Sequence, residues 1–196
     1  MKKEKVILSI MTVFVLLSLC TMPSRGLESK ITRLHILANS DSPVDQWLKI
    51  RVRDAIIQST DILEGGYSKD RINADLLEEI ENIARFTVKS SGFDYDVTAY
   101  FTNMYFDTRV YDGFAIPAGY YDAVRVEIGE GKGKNWWCVL FPPLCAPLAG
   151  KTIEEISLEA GLTKNDIGII MKDGDVYALR FKAAEMLGNF RHLFDN

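Results

Sequence analysis

The amino-acid sequence predicts an α+β domain, on three observations. Apolar residues recur at helical spacing from Ser42 to Leu63 and again from Ser68 to Gly92. The period then switches to two from Asp94 to Asp107 and from Tyr120 to Ile128. Between Asn135 and Cys145 the chain gathers two of its three tryptophans and two of its three cysteines around a Pro-Pro stop. The expected layout is an N-terminal strand and a helical hairpin packed on an antiparallel meander, with a C-terminal hairpin and helix.

Ile31 to Ala38 reads as the first strand, with Leu34, Ile36 and Ala38 on one face and Arg33 and His35 on the other. Asn39-Ser40-Asp41 breaks it. Ser42 can then cap a helix, Pro43 suits its first position, and Asp45 stands where a capping-box carboxylate reaches back. That helix is expected to run to Leu63 with Val44, Leu48, Val52, Ala55, Ile56 and Ile62 inward, until Glu64-Gly65-Gly66 ends it. A second helix opens at Ser68, turns Ile72, Leu76, Ile80, Ile83 and Thr87 inward, and closes at Gly92.

The long strand Asp94 to Asp107 carries aromatics in both rows, so both of its faces expect cover. Asp112-Gly113 marks a turn, Tyr120 to Ile128 forms the next strand, and Gly129 to Lys134 reads as a hairpin loop to the Trp136–Phe141 strand. Pro142-Pro143 cannot donate to a ladder and stops that strand. Thr152-Ile153-Glu154-Glu155 is a capping box opening a short helix that Gly161 ends. Ile167–Met171 and Val176–Phe181 flank a turn at Lys172–Asp175 as a second hairpin, and Lys182 to Phe194 fits a closing helix.

Met-Lys-Lys-Glu-Lys followed by Val6 to Cys20 has a basic n-region and an apolar h-region, the layout of a secretory signal. The uncharged run from Val6 to Ser24 falls just short of the ~20 residues of a spanning helix. Export is favoured over an anchor formed by residues 6–24, and cleavage fits after Gly26 or after Cys20. Leu19 is too large for a lipidation box. The expected organisation is therefore a signal segment over residues 1–26 and one globular α+β domain over residues 27–196.

Removing residues 1–26 takes away Lys2, Lys3, Lys5, Arg25 and Glu4, leaving 19 basic against 26 acidic side chains, a net charge of about −7. An acidic domain without a basic stripe argues against nucleic acid as a partner, and membrane contact is expected only through the signal segment. Cys138 and Cys145 remain, seven positions apart with a Pro-Pro turn between them. In an oxidising compartment they suit a disulfide; otherwise they are two buried thiols.

Candidate chemistry is sparse. Gly129-Glu130-Gly131-Lys132-Gly133 precedes a strand, whereas a phosphate cradle needs a helix start and a Lys-Ser/Thr. His35 with Cys138 or Cys145 could form a thiol nucleophile and its base, and His35 with Cys138 would be parts of an exported enzyme acting on the cell wall or on thiols. Asn39-Ser40-Asp41-Ser42 and Asp45 offer oxygens but lack the acidic count of a calcium loop, and a cap and turn explain every residue there. Glu127 and Glu130 could flank a sugar, yet one lies on a strand and the other in a loop. No spacing marks a metal centre. The residues favour a binding or signalling domain over an enzyme, with no catalytic, cofactor-binding or metal-binding residue.

Two blocks carry a resemblance. Arg33-Leu34-His35-Ile36-Leu37-Ala38-Asn39-Ser40-Asp41-Ser42, followed by Asp45-Gln46, Leu48-Lys49 and Val52-Arg53-Asp54, resembles the N-terminal signature of the stage II sporulation protein R family of endospore-forming Gram-positive bacteria. Pro117-Ala118-Gly119 with Tyr121, Ala123 and Arg125, then Ile128 to Gly133 and Asn135 to Cys145, resembles its second signature. The resemblance implies a messenger made in the forespore and exported into the space between the two sporangial membranes. There it is needed to activate a membrane-embedded aspartic protease of the mother cell, which removes the pro-sequence of sigma factor E. It implies no catalytic residue and does not extend past Cys145. Receptor contacts are then expected on polar loops held by rigid strands: Asn39, Ser40 and Asp41 at one strand end, Lys132, Lys134 and Asn135 at the loop tip. Trp136 and Trp137 must point to opposite faces, one into the core and the other free to serve as an exposed anchor.

Overall fold

The structure, a computed structural model, describes residues 26–59, 72–145 and 151–171. The chain divides into two compact units, one of Leu27–Met104 with Tyr120–Ile167, and one that includes Tyr105–Gly119. After a single 3-10 turn at Glu28–Lys30 come strand β1 (Thr32–Leu37) and helices α1 (Pro43–Ile57) and α2 (Ala74–Ser90). Strands β2 (Val97–Phe106), β3 (Arg109–Tyr111), β4 (Phe114–Ile116), β5 (Gly119–Ile128) and β6 (Asn135–Phe141) follow, then helices α3 (Ile153–Glu159) and α4 (Lys164–Ile170). The α+β class is as expected.

The sheet order corrects the simple meander. Four strands run β2-β5-β1-β6, so β1 lies between the two strands that the sequence would join as a hairpin. It pairs parallel to β5, with Leu34 opposite Val124 and Leu37 opposite Glu127, and antiparallel to β6, with Leu34 opposite Cys138 and Leu37 opposite Asn135. Local patterning finds strands but not a partner so distant in sequence; that is decided by burial of the whole strand. All six residues of β1 are buried, because it has a hydrogen-bonded neighbour on each side and cover on each face. The Arg33 and His35 face is therefore interior as well.

On the other face Leu34, Ile36, Val124, Val126, Ile128, Cys138 and Leu140 meet Leu48, Val52 and Ile56 of α1 and Leu76, Ile80, Ala84 and Val88 of α2. Burial of each such side chain is worth about 1.5–3 kcal/mol. The stripe of α1 is rotated from the expected one. Val44 is exposed, while Asp45 and Lys49 join Leu48, Val52 and Ile56 on the buried side. Ser42 caps the helix by accepting from the Asp45 N–H, but the Asp45 carboxylate does not complete the box. It turns to the loop before the helix instead.

Asn73 caps α2, and Gly92 follows its end with φ 87°; Leu63, Glu64-Gly65-Gly66 and Ser68 lie outside the described residues. The capping box at Thr152 and the stop at Gly161 are present as expected. Ile167 to Met171, expected as a strand, is not one: Ile167 to Ile170 belong to α4. Thr163 Oγ1 accepts the Asp166 N–H at 3.2 Å and Asp166 Oδ2 accepts the Thr163 N–H at 2.8 Å. A second capping box thus overrides the β-branched run. Val176–Phe181 and Lys182–Phe194 lie outside the described residues. In the smaller unit, β3 and β4 form the hairpin turned at Gly113, with Tyr111 and Phe114 stacked at 4.6 Å.

Candidate functional site

Because β1 separates β5 from β6, the glycine-rich segment Gly129–Lys134 has to cross the end of β1, and there it meets the chain leaving that strand. Gly133 N–H donates to Ala38 O at 2.8 Å and Lys132 N–H to Asn39 O at 3.2 Å. Glu130 N–H donates to Asn39 Oδ1 at 3.0 Å and Lys134 N–H to Asp41 Oδ1 at 2.7 Å. The two segments form one double loop. Gly133 is required by proximity, since a Cβ there would run into the backbone carbonyl of Ser40 and approach the Ala38 side chain to 2.9 Å.

Helix α1 holds this double loop from beneath. Asp45, buried, accepts from Asn39 Nδ2 at 2.9 Å and Ser40 Oγ at 2.5 Å, and from the Tyr95 hydroxyl. Burial opposes its ionisation, but the hydrogen bonds from Ser40, Asn39, Tyr95 and Ser42 outweigh it and hold the carboxyl below its ordinary range. Gln46 Nε2 donates to Ser40 O at 2.9 Å, and Lys49 Nζ donates to Gln46 Oε1 at 2.6 Å and to Lys134 O at 2.8 Å. Burial pushes the Lys49 ammonium down, partly offset by Asp41.

The structure therefore brings six of the sequence-derived candidates together. Asn39 and Ser40 are half-buried, while Asp41, Lys132, Lys134 and Asn135 are exposed around them. Lys132 forms an exposed pair with Glu130 at 2.8 Å. The two tryptophans do face opposite ways, but neither is exposed. Trp136 packs on the main core under the Arg53 guanidinium, 4.3 Å from its ring. Trp137 stacks on His35 with centroids 3.9 Å apart and planes 7° from parallel. The exposed tryptophan is Trp47 on α1, with Arg51 5.3 Å from its ring. Its signal was the helix phase: once Asp45 and Lys49 face inward, position 47 must face out.

His35 is buried, and its Nε2 donates to Asn135 Oδ1 at 2.9 Å. Burial, opposed by that hydrogen bond and reinforced by Arg125 and Arg33, lowers its pKa to about 4. Cys138 is bonded to Cys145, with Cα atoms 6.2 Å apart. A cysteine in a disulfide has no thiolate, so the His35–Cys138 dyad lacks its nucleophile. Arg33 is buried on the same sheet face as His35; its Nε donates to Cys138 O at 2.9 Å, and its guanidinium carbon lies 5.5 Å from the centroid of the Tyr121 ring. Among the described residues no group of three His, Cys, Asp or Glu could hold a metal ion. Among them, too, no helix is long and apolar enough to cross a membrane.

Fold and site together define a disulfide-closed α+β domain whose polar side chains gather on a braced double loop. Residues 28–149 match the model of the family described as stage II sporulation protein R, and the chain belongs to that family. It is similar to stage II sporulation protein R of Bacillus subtilis (strain 168), at 42% identity over 118 residues, 58% of this chain and 52% of that protein. The chain thus matches about half the length of that curated relative. No solved structure matches it. The matched region contains the whole double loop and both bridged cysteines.

Proposed function

We propose that this chain is an exported sporulation signal rather than an enzyme. Made in the forespore, it is led by residues 1–26 into the space between the sporangial membranes, or held there by residues 6–24. It binds the extracytoplasmic part of a membrane-embedded aspartic protease of the mother cell, which then cleaves the inactive pro-sigma-E factor. The observation that supports this most is the family match across residues 28–149, which holds a rigid double loop and no free Cys138 thiol. A ligand activates only by binding the active state better than the inactive one, and each tenfold difference in affinity shifts that equilibrium by about 1.4 kcal/mol. Contacts are assigned to Asn39, Ser40, Asp41, Lys132, Lys134 and Asn135, with the half-buried edges of Trp136 and Trp137 beside them.

The test is co-capture of the mature chain with the outer part of the protease, together with pro-sigma-E cleavage in cells expressing the protease. Capture with cleavage is expected. Cleavage without any capture of wild-type protein contradicts direct ligand action.

A further inference from the structure

Asp45 and Lys49 are a puzzle of placement. They stand four residues apart on the buried stripe of α1, where opposite charges ordinarily pair with each other. Neither forms an ion pair among the described residues. Each is instead spent on a different segment: Asp45 on Asn39 and Ser40, Lys49 on the Lys134 carbonyl. Gln46 joins the two grips, giving its Nε2 to Ser40 O and its Oε1 to Lys49. Stability does not call for this arrangement. The buried Lys49 ammonium donates to two neutral oxygens, and the charge of Asp41 offsets its burial only in part; desolvating such a group is costly, and an apolar side chain of similar length avoids that cost.

We infer that Asp45 and Lys49, acting with Gln46, are positioning residues that fix Asn39–Asp41 and Gly129–Lys134 into a single recognition surface. Its use in recognition rests on the function proposed above; the ordering of the loops does not. The loops are chain segments without a core of their own, and their amides are tied to one another by Gly133 to Ala38 and Lys132 to Asn39. Left to themselves such segments open locally far more often than the sheet. A partner would then have to order them at the cost of affinity.

The experiment compares the wild-type chain with Lys49→Met by denaturant midpoint, by amide exchange at Lys132, Gly133 and Lys134, and by capture on the protease's outer part. The expected result is a midpoint at or above wild type, exchange at least tenfold faster at those three amides alone, and capture weakened at least tenfold. A merely structural role would move the midpoint and not this split. Unchanged exchange overturns the inference, and so does faster exchange with undiminished capture. If wild-type protein is not captured at all, the functional reading falls and the exchange result alone decides the ordering role. Should Lys49→Met fail to fold, Gln46→Ala, at a half-buried position, undergoes the exchange and capture measurements, and the same exchange and capture results support or overturn the inference.

Discussion

At the scale of single residues, two positions concentrate the physics of this site. Gly133 passes so close to Ser40 that any side chain must displace backbone. Gly133→Ala is expected to cost about 1–3 kcal/mol in denaturant unfolding; an unchanged midpoint would contradict the close crossing. His35 has a folded pKa near 4, below the ~6.5 of an unfolded histidine. The unfolded chain therefore takes up a proton that the folded chain refuses. The stabilisation is complete above about pH 6.5 and is lost as pH falls toward 4. Unfolding at pH 7 and pH 4.5 should differ by about 2 kcal/mol more in wild type than in His35→Phe, which keeps a ring against Trp137. Equal pH dependence in the two proteins would remove His35 from the interior.

At the scale of elements, the sequence was legible wherever a local signal decides. The Ser42 and Thr152 caps, the Gly92 and Gly161 stops and the strand runs of β2, β5 and β6 all stand close to where patterning puts them. It was less legible where distant contacts decide. The stripe of α1 lies off the expected phase because apolar spacing takes no account of the charged Asp45 and Lys49, which find buried partners in the double loop. The start of α4 was hidden by its isoleucines, although Thr163-Lys164-Asn165-Asp166 carries a capping signal of its own. The Cys138–Cys145 bridge closes a short loop and is expected to contribute about 2 kcal/mol. Unfolding with and without reductant measures it. A difference near zero would mean that packing alone holds the Pro142-Pro143 turn.

At the scale of the molecule, the order β2-β5-β1-β6 is what creates the site. A plain β5–β6 hairpin would have left Gly129–Lys134 as an isolated tip. Inserting β1 between them forces that segment over Asn39–Asp41, so residues far apart in the chain share one surface. The candidates were legible as polar loop residues; their union was not, since it follows from strand order. The proposed recognition rests on that shared surface.

The most direct measurement is the affinity of the protease's outer part for three purified proteins: wild type, a Lys132→Glu/Lys134→Glu variant of the exposed tip, and Glu78→Lys on the exposed side of α2. With folding confirmed by matching denaturant midpoints, the tip variant should bind at least tenfold more weakly and Glu78→Lys like wild type. Equal binding by all three would place recognition elsewhere and contradict that claim.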